Sequence, residues 1–281
     1  MRKYIYLVFL ILIFSIFLPF FSANMKKRPL YEKLGFRPLG KFYKAVLGEF
    51  RWIMGDYFTF VAITYYGGKV EKLYSGKITD LEYYNLYKTI ETAVILNPYH
   101  EDAYYFAQAV FVWDVRRVRE VNAILRYVFR YRDWDFQIPF FLGFNYAFFL
   151  KDYKKSAYYF KKAAILSSNP IYASLAARYF YETGSTELGI KFLEYMIKNF
   201  HDERIKKFLQ KRLIALKRIL ILEKAVSRYK EIFKKRPKSL KELLEAGLIS
   251  QIPKDPYGGR FYIDKKGRVR STSNLAEGWK K

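Results

Sequence analysis

Six arginines fall within residues 115–132, a stretch whose apolar spacing predicts one continuous helix. Its arginines are Arg116, Arg117, Arg119, Arg126, Arg130 and Arg132. Guanidinium groups bind carboxylates and phosphates through paired hydrogen bonds, and they also stack on aromatic rings. We therefore take this helix as the candidate partner-binding face. An acidic protein surface and a nucleic acid are the two ligands that it leaves open.

Aromatic side chains are dense on both sides of the arginines. At helical spacing such residues usually pack in a core, and we predict that role here. A platform on which bases stack is the alternative. The residues concerned are Tyr104, Tyr105, Phe106, Phe111, Trp113, Trp134, Phe136, Phe140, Phe141, Phe144 and Phe148.

The chain lacks the patterns of common catalytic and metal sites. It has no cysteine and only two histidines, His100 and His201, which excludes disulfides and Cys/His zinc sites. No Gly-x-Ser-x-Gly or His-Glu-x-x-His motif is present. Asp255 and Asp264 fit turn formation better than calcium binding. We predict a protein that is not an enzyme and that holds no cofactor and no metal.

Basic residues dominate the charge, with 51 Lys+Arg against 26 Asp+Glu and a net charge of +25. The excess is strongest after residue 203. Nucleic acid, anionic lipid and an acidic protein are the partners that such a positive charge would attract. A lysine-rich surface of the thermophilic type, without a specific partner, explains the same charge, and we favour it because net charge does not define a site.

The first residues are directed to a membrane. An uncharged apolar run from Tyr4 to Ser22 follows Arg2 and Lys3, and about 20 apolar residues cross a bilayer as a helix. We predict an uncleaved single-pass anchor; a cleaved signal peptide is the alternative, although no small-x-small cleavage site follows the run. Basic residues flank both ends, and a plain count of them would keep the domain beyond the run in the cytoplasm. We expect that domain to be extracytoplasmic instead, because large domains translocate largely regardless of charge.

Residues 140–170 predict a helical hairpin that ends at Pro170. Small residues, Gly143, Ala147, Ala157 and Ala163, are expected where its helices approach, and larger ones, Leu142, Tyr146, Phe160 and Leu166, are expected to fill the core between them. Similar units recur at about 34 residues, with Pro98 closing an earlier one. With small residues also at Gly184 and Gly189, residues 79–202 resemble the tetratricopeptide repeat family, which implies a stack of helix pairs that binds peptides or proteins.

Two long segments flank these units. Residues 41–66 are apolar nearly all round, which predicts a helix that is buried on most sides, with Gly48 and Gly55 allowing another helix to approach. Residues 203–233 predict a long, basic amphipathic helix. We expect it to cap the array, because a terminal repeat needs a polar outer face.

The C-terminal segment changes character. Ser239 and Gly247 bracket a short predicted helix, and residues 260–263 and 268–272 predict a β-hairpin around a turn at 264–267. Residues 237–273, including Asp255 and Asp264, resemble the C-terminal segment of type II secretion major pseudopilins. The pilin-type cleavage motif is absent, so the resemblance implies an association with such assemblies and not a pilin subunit.

These patterns predict a mostly α chain with an N-terminal transmembrane helix, a tetratricopeptide-like helical-repeat array and a small C-terminal β-hairpin. The predicted boundaries are 1–23 for the anchor, 24–40 for a basic linker, 41–235 for the repeat domain and 236–281 for the C-terminal segment. We expect a membrane-anchored scaffold that binds protein partners in a cell-envelope assembly, related to a pilus or to secretion. A nucleic-acid-binding repeat protein tethered to the membrane is the alternative function.

Overall fold

The computed structural model describes residues 2–26, 34–35, 40–76 and 81–275. The chain divides into two compact units, residues 1–132 and 133–281, and each is described by itself. The mostly helical fold, the apolar N-terminal helix and the small C-terminal sheet are confirmed. The elements are α1 (Arg2–Lys26), α2 (Gly40–Leu47), α3 (Arg51–Tyr74), α4 (Tyr83–Leu96), α5 (Glu101–Phe106), α6 (Val118–Val128), α7 (Gln137–Phe148), α8 (Tyr153–Ser167), α9 (Pro170–Glu182), α10 (Thr186–Asn199), α11 (Glu203–Phe233), α12 (Leu240–Glu245), β1 (Phe261–Ile263) and β2 (Val269–Ser271).

Helix α1 is long and apolar enough to cross a membrane. Its span Tyr6–Ala23 has a mean hydropathy of 2.5, and none of it is buried in protein. A signal sequence shares these properties, so the anchor and the cleaved signal both remain predictions. The basic linker that follows lies mostly outside the described residues.

In the first unit, α3 packs along α4 because Gly55 removes the side chain at their closest approach. A Cβ atom at Gly55 would lie 2.6 Å from Asn97 Cβ and 2.8 Å from the Asn97 backbone nitrogen. The predicted close approach at Gly55 is therefore confirmed. Gly48 does something else: its φ of 52° and its open surroundings place it in the turn that ends α2.

The prediction that residues 41–66 form a helix buried on most sides is wrong. A short 3₁₀ turn, Gly48–Phe50, separates α2 from α3. Helix α3 buries one face, including Phe58, Val61 and Tyr65, against the rest of the first unit. Its other face leaves large apolar side chains exposed, including Ile53 and Phe60.

Helices α4, α5 and α6 complete the first unit. Helix α5 continues into a π-helical turn, Ala107–Phe111. Helix α6 places Val121, Leu125 and Val128 on its buried face at spacings of four and three residues, as expected for an amphipathic helix.

In the second unit, α7 and α8 form the predicted helical hairpin. A Cβ atom at Gly143 would lie 3.0 Å from the Phe160 ring, so the glycine makes room for that ring. Phe160 is 2% exposed, whereas Leu166 is 40% exposed and does not fill the core as predicted. Leu166 comes near the end of α8, where the chain turns away.

From α7 to α11 each helix packs on the next one in the chain, and α9 also contacts α11. This nearest-neighbour order is what a helical solenoid requires. Side-chain caps begin several of these helices: Asp152 accepts a hydrogen bond from the Lys155 N–H, and Asp202 accepts one from the Arg204 N–H.

The long helix α11 coincides with the predicted segment 203–233. Together with α9, α10, α12 and the hairpin it forms one core, which includes Leu216, Leu243, Phe261 and Val269. The strands pair antiparallel with Tyr262 opposite Arg270. Asp264 accepts hydrogen bonds from the Lys266 and Arg268 backbone N–H groups, so it forms the turn as predicted.

Candidate partner-binding surfaces

The arginine-rich stretch is not one helix. Helix α6 covers only Val118–Val128, and Arg116 precedes it with a left-handed φ of 59°. The Arg117 N–H donates to the Phe111 carbonyl, which closes a loop after the π-helical turn. The predicted helix over 115–132 is therefore wrong, and its six arginines do not share one face.

The structure separates the arginines by role. Arg119 and Arg126 lie on the exposed outer stripe of α6, and Arg130 is exposed just past its end. Arg117 pairs with Glu120 at 3.2 Å. Arg132 instead supports the fold, because it donates to the Tyr99 carbonyl at 2.7 Å.

The aromatic residues near the arginines divide between the core and the surface. Tyr104 and Phe111 are buried, as predicted for core residues. Tyr105, Trp113, Trp134 and Phe148 are about half exposed, so core packing does not account for them. Tyr105 and Trp113 belong to the first unit, and Trp134 and Phe148 belong to the second.

The second unit contains a groove between α8 and α10, with Phe180 of α9 at its floor. It has a volume of about 580 Å³. Tyr158 and Ile165 line it from α8, and Leu188 and Tyr195 line it from α10. These four side chains are 48–56% exposed although they are large and apolar. We call this surface the α8–α10 groove.

Basic side chains border the α8–α10 groove. Among the described residues that line it, Lys154, Lys161 and Lys191 carry charge and none is acidic. Lys161 Nζ lies 5.9 Å from the centroid of the Phe192 ring, and Lys191 Nζ lies 3.4 Å from Glu187 Oε1 beside the groove. An apolar floor with positive charge at its edge suits an amphipathic segment that has acidic flanks.

A second cavity of about 480 Å³ lies between α11 and the hairpin. Its lining is more polar and includes Glu223 and Arg270. Burial raises the pKa of the Glu223 carboxyl above its ordinary value, and the positive charge of Arg270 opposes that change only in part. Arg270 is already held by Glu182 and Asp264, so its charge serves the fold.

The α8–α10 groove was missed in the sequence although a signal was present. Helix α8 carries a core stripe with Ala157, Phe160 and Ala164, and it also carries apolar residues off that stripe at Tyr158 and Ile165. A second apolar stripe on a helix whose core face is already complete indicates another contact surface.

Comparison with known proteins adds no assignment to these surfaces. No protein-family model, no curated protein and no solved structure matches the chain. Among the described residues no group of three or more His, Asp or Glu side chains is arranged to hold a metal ion.

Proposed function

We propose that the protein is a membrane-anchored helical scaffold of tetratricopeptide type that binds a protein partner in a cell-envelope assembly. The observation that carries the proposal is the α8–α10 groove, where four large apolar side chains stay exposed between two helices. Exposed apolar surface of this kind is typical of interaction sites. Helix α1 supplies the membrane attachment, and the protein acts by binding and not by catalysis.

The chemistry of the groove defines the partner. Tyr158 and Ile165 follow each other at a spacing of seven residues along α8, so the groove runs beside two turns of helix, about 11 Å. A helical segment with apolar residues on one face would bury them between the two walls, and acidic residues at its edges would meet Lys154, Lys161 and Lys191. The resemblance of residues 237–273 to pseudopilins favours a partner from a pilus or secretion assembly.

Site-specific crosslinking in living cells tests this proposal. A photoreactive phenylalanine analogue at Tyr195 should form a crosslink with a distinct protein, and the crosslink should disappear when Leu188→Asp makes the groove wall charged. The same analogue at Tyr105, which is similarly exposed in the first unit, is the matched control and should not give that product. Equal crosslinking with and without Leu188→Asp would contradict the proposal.

A nucleic acid is the second candidate ligand, because Arg119, Arg126 and Arg130 are exposed on or next to the outer side of α6. Contacts with phosphates would make binding fall steeply with salt. Titration of the full chain with fluorescent single-stranded RNA and DNA at increasing salt tests this. Binding that requires these arginines and weakens with salt supports the second candidate; binding that survives their replacement contradicts it.

A further inference from the structure

Apolar side chains are also exposed in the segment that follows α1 and its linker. Phe42 and Val46 lie four residues apart on α2 and are 59% and 66% exposed. Ile53, Tyr57 and Phe60 follow at spacings of four and three on α3, and Ile53 and Phe60 are 65% and 64% exposed. We call these five residues the α2–α3 apolar face.

This face is not explained by the core of the first unit. The opposite side of α3 already packs on α4 through Phe58 and Gly55. Soluble proteins rarely expose a row of large apolar side chains on a helix without a partner for it. We therefore expect the α2–α3 apolar face to be covered by a partner molecule or by lipid.

The chain itself restricts where this face can be. About 13 residues separate the end of α1 at Lys26 from the start of α2 at Gly40, and a fully extended chain of that length reaches at most about 45 Å. If α1 crosses a bilayer, the start of α2 is held within that distance of the end of α1 at the surface of the same bilayer. A membrane surface is thus always within reach of the α2–α3 apolar face.

Basic residues precede this face in the sequence. The linker sequence carries Lys27, Arg28, Lys33 and Arg37, and Lys41, the second residue of α2, is exposed. Basic residues next to an apolar helical face favour binding to anionic lipid.

Asp56, on the same side of α3, and the exposed Glu49, in the turn between α2 and α3, are acidic and would oppose this binding. Asp56 accepts a hydrogen bond from Asn97 Nδ2 at 2.6 Å and lies 3.8 Å from His100 Nε2. Its carboxylate is therefore engaged by the residues that follow α4. The apolar side chains beside it remain exposed to an occupant.

We propose that the α2–α3 apolar face lies in the headgroup region of the bilayer that α1 crosses, so that the first unit binds the membrane along a helical surface as well as through its anchor. This inference depends on the proposed membrane anchoring by α1, but not on the identity of any protein partner. Binding of this face to lipid would fix which side of the first unit is turned towards the bilayer.

Depth-dependent quenching in the full chain tests the inference. The protein has no cysteine, so a single introduced cysteine can carry an environment-sensitive nitrobenzoxadiazole label and no native cysteine has to be replaced first. The variants are Phe60→Cys and Phe42→Cys on the face, Phe14→Cys within α1, and Ala123→Cys on the exposed outer side of α6 as the matched water-facing control. Each is reconstituted in vesicles of phosphatidylcholine and phosphatidylglycerol that contain a nitroxide-bearing lipid. Nanodiscs that hold one chain each are prepared in parallel.

We expect the Phe60 and Phe42 labels to emit at shorter wavelength than the Ala123 label, to be quenched severalfold more by the lipid nitroxide and to be less accessible to aqueous iodide, in vesicles and in single-chain nanodiscs alike. Iodide quenching equal to that at Ala123 would overturn the inference. So would shielding from both quenchers, which would show that protein covers the face, or shielding lost in single-chain nanodiscs, which would show a second copy.

The Phe14 label separates failure of this inference from failure of the anchor. If the Phe14 label contacts the lipid nitroxide and the Phe60 and Phe42 labels do not, the anchor stands and the inference is wrong. If none of the three contacts lipid, both are wrong. Far-ultraviolet circular dichroism of every variant should match that of the unmodified chain, and Ile53→Cys replaces Phe60→Cys if that variant fails this check.

Discussion

Arg270 Nη1 donates a hydrogen bond to Glu182 Oε2 at 2.8 Å and thereby joins the hairpin to the end of α9. Both side chains are less than one-fifth exposed. The Arg270 guanidinium also lies 5.3 Å from the centroid of the Tyr181 ring. Tyr181 in turn donates from its hydroxyl to the Val269 carbonyl at 2.6 Å, so two adjacent residues of α9 hold β2.

Arg270→Ala should destabilise the protein by about 2 kcal/mol, because it leaves the Glu182 carboxylate largely buried without its charged partner. Thermal unfolding of the full chain in detergent, followed by circular dichroism, measures the loss. Arg268→Ala is the control: Arg268 pairs with Asp264 at 3.2 Å but is far more exposed, and its loss should cost less than about 1 kcal/mol. Equal losses in the two variants would show that the Arg270–Glu182 pair has no special role.

Two glycines in α3 should respond in opposite directions to the same substitution. Gly55→Ala places a Cβ atom against Asn97 and should destabilise the first unit by about 1–3 kcal/mol. Gly67→Ala meets nothing within 4 Å and should stabilise it by about 0.5–1 kcal/mol, because alanine has the higher helix propensity. Urea unfolding of both variants checks the signs. A neutral Gly55→Ala would contradict the close packing of α3 on α4.

The close packing at Gly55 could be predicted from the sequence, whereas the break in the arginine-rich stretch could not. Gly55 is a small residue within an apolar segment that was expected to be helical, so its contact with another helix could be predicted. The break before α6 could not, because residues 113–117 contain no glycine or proline. It depends on contacts distant in sequence: the Tyr66 hydroxyl donates to the Asp114 carboxylate, while Arg116 adopts a left-handed conformation at a cost of about 1–2 kcal/mol.

What can be predicted from the sequence is limited in the same way for the surfaces. The bounds of α11 followed from an unbroken amphipathic pattern, and the hairpin followed from its turn residues. The α8–α10 groove depends on which apolar residues the neighbouring helices leave uncovered. Tyr158 and Phe160 both carry large aromatic rings, yet Phe160 packs against a glycine on α7, whereas Tyr158 remains exposed.

Replacement of Glu223 should change the pH dependence of stability. Burial raises the pKa of its carboxyl, so the folded state binds a proton more tightly than the unfolded state does. The stability contributed by this group is complete below its unfolded pKa and is lost as pH rises through the raised folded value. Glu223→Gln should therefore raise the melting temperature at pH 7 and leave it nearly unchanged well below pH 4.5.

The pKa of the Asp264 carboxyl is shifted in the opposite direction, and measurements at neutral and acidic pH test it as well. Backbone N–H donors and Arg268 hold the pKa of Asp264 below its usual range although burial alone would raise it. Asp264→Asn should therefore lower the melting temperature at pH 7 and have less effect well below pH 3.8. If both variants changed the melting temperature equally at the two pH values, neither charge would contribute as the structure indicates.

Charge reversal distinguishes the two candidate functions. The groove variant carries Lys154→Glu, Lys161→Glu and Lys191→Glu, and the α6 variant carries Arg119→Glu, Arg126→Glu and Arg130→Glu, so the net charge changes equally in both. We expect the groove variant to lose about tenfold or more of the Tyr195 crosslink and the α6 variant to keep it, because reversed charges repel acidic flanks only where those flanks bind. The reverse result would assign the partner to α6.

Membrane topology decides which partners can reach these surfaces at all. We expect the α8–α10 groove to face away from the cytoplasm, because a large domain after a signal-like helix translocates largely regardless of flanking charge. Ser227→Cys, on an exposed position of α11 in a chain without cysteine, should then react with a membrane-impermeant maleimide in intact cells. Reaction only after the cells are permeabilised would place the second unit in the cytoplasm. The proposed role in an envelope assembly would then lose its support. Salt-dependent binding of nucleic acid by α6 would become the stronger hypothesis.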